Sequence, residues 1–262
     1  MQVVIFAGGL GTRLSEKTNS IPKPMVKIGN MPILEHIMDI YSIQGHTEFI
    51  IACGYKQEII KRYFYEKLTL GKDLHIEFNK EKKLSIIENK YKNWKISLID
   101  TGFLTHTGSR LLKLKPFLDD QFFLTYGDGV GNVNLKNLIN QHYQTKAEIT
   151  ITTINPTSRY GSLIVKGNKV KTFIEKPEFS SEIVNAGFMF LNKSFLRFID
   201  ADEVNIALEA EPFQRAVNNG VMGAFHHSGF WHPMDTLRDN IKLNKLWNEG
   251  NPPWLEVPPL IT

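Results

Sequence analysis

The chain has a single cysteine, Cys53, in 262 residues, which excludes an internal disulfide and any metal site built on several thiolates. No apolar run approaches membrane-spanning length. The opening Met1-Gln2-Val3-Val4-Ile5-Phe6-Ala7 is too short for a secretory leader and lacks a basic n-region, so a cytoplasmic protein with no membrane partner is expected. A strong excess of one charge is also missing. The net charge is +4, and the lysines are dispersed apart from Lys80-Glu81-Lys82-Lys83, so no nucleic-acid partner is expected. Repeats, low-complexity stretches and Pro/Gly/Ser-rich linkers are lacking too, which argues for one domain over residues 1–262. The histidines show no metal-ligand spacing, and His226, His227 and His232 read as packed or surface side chains.

What is present is an ordinary globular balance, 42% apolar and 22% charged. Val3 to Ala7 is continuously apolar and stops at Gly8-Gly9, the pattern of a buried central strand feeding a glycine loop. Ile33, Ile37 and Tyr41 recur four apart and predict a helix from Ile33 to Ile43, closed by Gly45. Further strands are expected at Phe49–Cys53, Lys95–Asp100, Gln121–Tyr126 and Ala147–Ile154, with helices at Lys56–Tyr65 and Leu135–Gln144 between them. Cys53 then reads as an inert core thiol. This alternation predicts an α/β fold, a Rossmann-like doubly wound and mostly parallel sheet. Beyond Pro156 the pattern shifts to short strands at Ser162–Val165, Val170–Ile174 and Phe188–Leu191, with helices near Phe195 and Glu211. A smaller α+β portion on the same sheet is expected there, over residues 156–250, with residues 251–262 and their four prolines as a loose tail.

Several segments could carry chemistry. Three glycines in the four residues Gly8-Gly9-Leu10-Gly11, directly after a buried strand, let backbone N–H groups approach an anion closely. Leu14 stands where a dinucleotide fingerprint needs glycine, and no Gly-Lys-Ser/Thr is present for a Walker loop. Lys23 lies between Pro22 and Pro24, a stiff segment that holds an ammonium at low conformational cost, and with Arg13 it supplies two cations near that loop. Asp128 in Tyr126-Gly127-Asp128-Gly129 falls at the carboxyl end of a predicted parallel strand, where open α/β sheets bind ligands. Asp235 precedes the last long helix. Two aspartates with few other ligands suit one Mg²⁺ that also holds substrate phosphates, although Asp235 taken alone reads as the N-cap of a helix beginning at Thr236. Arg110 could clamp a phosphate bidentately or pair with a surface acid. Glu175, Lys176 and Asn185 bracket a stretch that could line an acceptor pocket.

In order, G-G-L-G-T-R-L-S-E-K-T, P-K-P-M-V, Y-G-D-G-V, E-K-P, N-A-G-F and G-F-W-H-P-M-D-T-L-R-D resemble the sugar-phosphate nucleotidyltransferase family, most of all its glucose-1-phosphate cytidylyltransferase branch. The resemblance runs from residue 1 to about Trp254. It implies that residues 1–155 bind CTP, through Ala7, Gly8, Gly9, Leu10, Gly11, Thr12, Arg13 and Gly127, with Lys23, Arg13 and Asp128 catalytic. It implies Mg²⁺ on Asp128 and Asp235, and a phosphorylated acceptor over residues 156–250, met by Arg110, Tyr126, Glu175, Lys176 and Asn185. It also implies a homo-oligomer. Where glucose-specific members carry Thr-Thr-Trp, this chain has Ile206-Ala207-Leu208; Asn185-Ala186-Gly187 replaces Asn-Gly-Gly, and Ser109 stands for glycine. If those positions form the acceptor wall, polar groups able to read sugar hydroxyls are lost. Glucose 1-phosphate, another sugar phosphate and a phosphorylated amino acid from a capsule pathway all stay open as acceptors, and a non-catalytic nucleotide sensor is the remaining alternative.

Overall fold

A computed structural model describes residues 1–11, 14, 18, 20–70, 74–76, 84–86, 92–156, 162–174, 182–200 and 205–256, with the backbone alone at 74–76, 84–86, 162–165 and 173–174. Its centre is a seven-stranded sheet. The strands are β1 (Gln2–Ala7), β2 (Glu48–Cys53), β3 (Lys95–Asp100), β4 (Gln121–Tyr126), β5 (Ile149–Ile154), β6 (Val184–Asn192) and β7 (Met222–His226). Their spatial order is β7-β5-β6-β4-β1-β2-β3. Every pairing is parallel except the two made by β6, which runs antiparallel between β5 and β4. The expected doubly wound, mostly parallel sheet is therefore present.

β1 sits between two parallel neighbours and is buried at all six residues, which is why its sequence is a continuous apolar run rather than an alternating one. Its side chains still divide by parity. Val3, Ile5 and Ala7 join one core layer, and Val4 and Phe6 join the other. The first layer takes residues from helices α1 (Ile33–Ser42), α2 (Gln57–Thr69), α4 (Leu135–Thr145) and α6 (Leu237–Asn248); the second takes them from α3 (Thr107–Lys113) and α5 (Glu211–Asn218). Cys53 is fully buried in the first layer, and burial pushes its thiol up to about 12, which makes it unreactive at neutral pH.

Three local expectations are corrected. The N-cap of α6 is Thr236, not Asp235: Thr236 Oγ1 accepts from the Asp239 N–H, and the Asp239 carboxylate accepts from the Thr236 N–H, so both caps are satisfied without Asp235. The helix near Phe195 is a 3-10 segment, Lys193–Phe198, whose two phenylalanines are buried. The proline-rich tail is not loose over its first half. Residues Pro253–Leu255 form a 3-10 turn, and Trp254 is fully buried against Phe230 and His36, so one large aromatic anchors this turn to the core. Among the described residues, no helix is long and apolar enough to cross a membrane.

Candidate active site

From β1 the chain builds β2 and β3 on one side, then returns to place β4 on the other side of β1. The carboxyl ends of β1 and β4 therefore flank the point where the winding reverses, the position at which such sheets leave a crevice. Gly8 follows β1, and Gly127-Asp128 follows β4. Their closeness is enforced by size. A Cβ on Gly127 would stand 2.6 Å from the Phe6 carbonyl oxygen, so only glycine lets the two strand ends lie this near. Gly11 adopts φ +65°, a left-handed conformation in which a side chain is strained.

Asp235 is brought to Asp128 by a short antiparallel pairing of Gly129–Gly131 with Trp231–Pro233, continued by Met234, whose N–H donates to the Asp128 carbonyl. Lys23 completes the group. It opens a 3-10 turn between Pro22 and Pro24, while Met25 and Val26 anchor the turn in the core. Its Nζ lies 2.7 Å from Asp128 Oδ2 and 2.6 Å from Asp235 Oδ1. Burial alone would lower the lysine pKa, but the two carboxylates outweigh it and the group is held above its ordinary value. Lys23 is thus an ammonium at any working pH.

These residues share a cleft of about 390 Å³. Gly8, Gly9 and Gly11 line it together with Asp128, Asp235, Thr105, His106 and Thr107. Arg110 is corrected by its surroundings. Its side chain borders the cleft but the residue is only 3% exposed, and the guanidinium donates to the carbonyls of Gly8 (2.8 Å), Gly102 (2.9 Å), Cys53 (3.2 Å) and Phe103 (3.4 Å) and to Thr101 Oγ1 (2.6 Å). With both terminal nitrogens bonded at the ends of β1, β2 and β3, it holds the glycine loop and has no free fork for a bidentate phosphate clamp. Gly8 and Gly54 leave room for it, since a Cβ on either would meet the guanidinium.

Tyr126 forms the wall beyond Asp128. Its hydroxyl donates to Glu209, whose other oxygen accepts from Thr107 Oγ1 at 2.6 Å. Burial, with the charges of Glu209 and Asp128, holds the phenol above its ordinary pKa, so it stays protonated. Asn185 lies beside it, accepting from the Gly187 N–H at 2.8 Å, and Gly187 has no room for a Cβ against the Tyr126 ring. Of the other expected residues, Ala7 is buried at the end of β1 and Leu10 is exposed. Thr12, Arg13, Glu175 and Lys176 lie outside the described residues. Of the residues that depart from the glucose-specific pattern, Ile206 and Leu208 are buried in the second core layer and so do not offer a surface to an acceptor. Thr105, His106, Thr107 and Glu209 were not anticipated. The first three follow β3, so the rule that drew attention to Asp128 applies to them as well.

Among the described residues there is no cluster of three or more His, Cys, Asp or Glu side chains fit for a metal. Asp128 and Asp235 nevertheless fit a divalent cation that shares its shell with phosphate oxygens and water. Both are hard oxygen donors, and both already converge on one cation, the Lys23 ammonium.

The sequence pattern of the nucleotidyl transferase family matches residues 2–246. This chain belongs to that family. The glucose-1-phosphate cytidylyltransferase of Salmonella typhimurium is 41% identical over 256 residues, covering 97% of this chain and 98% of that one. A probable glucose-1-phosphate cytidylyltransferase of Bacillus subtilis is 39% identical over 97% of this chain. Among solved structures, HddC of Yersinia pseudotuberculosis superposes with a TM-score of 0.69 at 24% identity over 94% of this chain, and shares the fold. A UDP-glucose pyrophosphorylase superposes with a TM-score of 0.66 at 15% identity. The cleft at the β1/β4 switch is thus the candidate active site of a nucleotidyl transferase.

Proposed function

We propose that the protein transfers the cytidylyl group of CTP to glucose 1-phosphate, giving CDP-glucose and pyrophosphate. Full-length identity of 41% to an enzyme of that name supports the substrates. The observation that carries the chemistry is the convergence of Lys23, Asp128 and Asp235 beside the glycine loop. A phosphate oxygen of the acceptor attacks the α-phosphorus of CTP; the new P–O bond forms as the α–β bridging P–O bond breaks, and its electron pair leaves on pyrophosphate. No general base is needed, because the nucleophile is already an anion.

The barrier is electrostatic. Two unit charges 4 Å apart repel by about 4 kcal/mol at an effective dielectric of about 20, and here a dianion meets a triphosphate. The loop amides and Lys23 neutralise and align the reacting phosphates, the terms that dominate when little proton transfer is required. A divalent cation, Mg²⁺ in this proposal, supplies charge neutralisation across the phosphates when bound, and Asp128 and Asp235 are the residues that would hold it. Tyr126, Asn185, Glu175 and Lys176 are assigned to the acceptor, and Thr12 and Arg13 to the nucleotide.

A pyrophosphate-release screen crossing the four nucleoside triphosphates with phosphorylated sugars and phosphorylated amino acids tests this. The expected result is release with CTP and glucose 1-phosphate, lost by at least about a thousandfold in Asp128→Asn. Release that ignores the acceptor, or none across the panel, would overturn the proposal.

A further inference from the structure

The Lys23 ammonium stands between the two carboxylates that would hold a metal ion. It is within 2.7 Å of Asp128 Oδ2 and 2.6 Å of Asp235 Oδ1, both hydrogen-bond distances. A small divalent cation coordinates oxygen at about 2.0–2.1 Å, closer still. A cation held by both carboxylates and an ammonium held by the same two oxygens would be pressed together with like charge, so the two positions are mutually exclusive. Removing Lys23 would take one positive charge from the two carboxylates that an incoming ion would meet.

The lysine is also built to move at its tip only. Its residue is 9% exposed, its backbone is braced by Pro22 and Pro24, and its Cβ is packed 3.0 Å from where a Cβ would lie on Gly11. The torsions of its stem remain. The cleft that Lys23 lines also contains Gly8, Gly9 and Gly11, so an ammonium displaced from the carboxylates stays in the chamber that receives phosphates.

We propose that Lys23 is a place-holding cation: it occupies the divalent-ion position between Asp128 and Asp235 in the free protein, and is displaced toward the phosphates when metal enters with the nucleotide. The consequence is ordered loading, in which metal alone binds weakly and metal with triphosphate binds well. This rests on the reading of the cleft as a metal-dependent triphosphate site.

The test uses the full chain without nucleotide. Mn²⁺ binding is followed by the electron paramagnetic resonance of the free ion for the wild type, Lys23→Met and the double variant Lys23→Met/Asp128→Asn. Methionine keeps the unbranched stem and removes the charge. Lys23→Met is expected to bind Mn²⁺ about tenfold more tightly than the wild type, and the second substitution to abolish that gain. Equal or weaker binding by a folded Lys23→Met would overturn the proposal. Should that variant fail to fold, the wild type decides: acetylation of Lys23 by acetic anhydride, read by mass spectrometry, should rise about threefold or more when Mn²⁺ displaces the amine. Unchanged labelling at saturating Mn²⁺ refutes displacement. Neither measurement involves CTP or an acceptor, so failure of the pyrophosphate screen with displacement intact would reject the assigned reaction alone.

Discussion

Arg110 offers the sharpest separation between a ligand-binding and a loop-holding role. Replacing it by alanine removes three short charge-assisted hydrogen bonds, to Thr101 Oγ1, Gly8 O and Gly102 O at 2.6–2.9 Å, and two longer ones, in a place where the residue is 3% exposed. Bonds to a charged group contribute about 1.5–3 kcal/mol each when buried. Water from the adjoining cleft can replace part of the loss, because the guanidinium borders that cavity. A net destabilisation of about 3 kcal/mol is therefore expected, or roughly 6–10 °C in Tm for a chain of this size. The functional signature should follow the same geometry. Since Gly8 O is held by Arg110 and by the Tyr55 N–H, Arg110→Ala should raise the KM for the nucleotide by about tenfold and leave that for the acceptor within about twofold. Urea unfolding and steady-state kinetics with each substrate varied in turn measure both effects. Wild-type stability with a raised acceptor KM alone would refute this account and restore the phosphate clamp.

Gly127→Ala should lower nucleotide turnover by about a hundredfold or more, since its Cβ would stand 2.6 Å from the Phe6 carbonyl and push the two strand ends apart. A crystal structure or kinetics showing an undisturbed cleft would contradict it. Trp254→Ala should cost about 3–5 kcal/mol in urea unfolding, because it empties a fully buried indole site between Phe230 and His36. Stability should also fall as pH drops. Burial lowers the pKa of His36, His142 and His227, and that of His46 to about 4, so these groups favour folding fully above the ordinary histidine value near 6.5. The unfolded chain takes up protons first as pH falls, and the contribution is lost between about 6.5 and 4, visible as a falling urea midpoint. A midpoint that rises across that window would reverse the assignment.

The amino-acid order alone determined the layer architecture, for a physical reason. β1, β2 and β4 are buried on both faces, so their sequences are near-continuous apolar runs that end abruptly in glycine, and those runs can be read without partners. Gly8, Lys23 and Asp128 stood out for a related reason: glycine, a lysine braced by prolines, and a carboxylate at a strand end are costly choices for packing alone. What no local pattern carried is who meets whom. Asp235 resembles a cap in sequence and becomes the partner of Asp128 only because residues 129–131 pair with residues 231–233, a hundred positions away. Arg110 looks like an exposed clamp until the return of the chain from β3 tucks it beneath Gly8. Trp254 lies among prolines and is recruited to the core by Phe230 and His36. Hydrogen-bond donors and apolar surface have no address in the linear sequence, and the crossing of the chain at the β1/β4 switch supplied it.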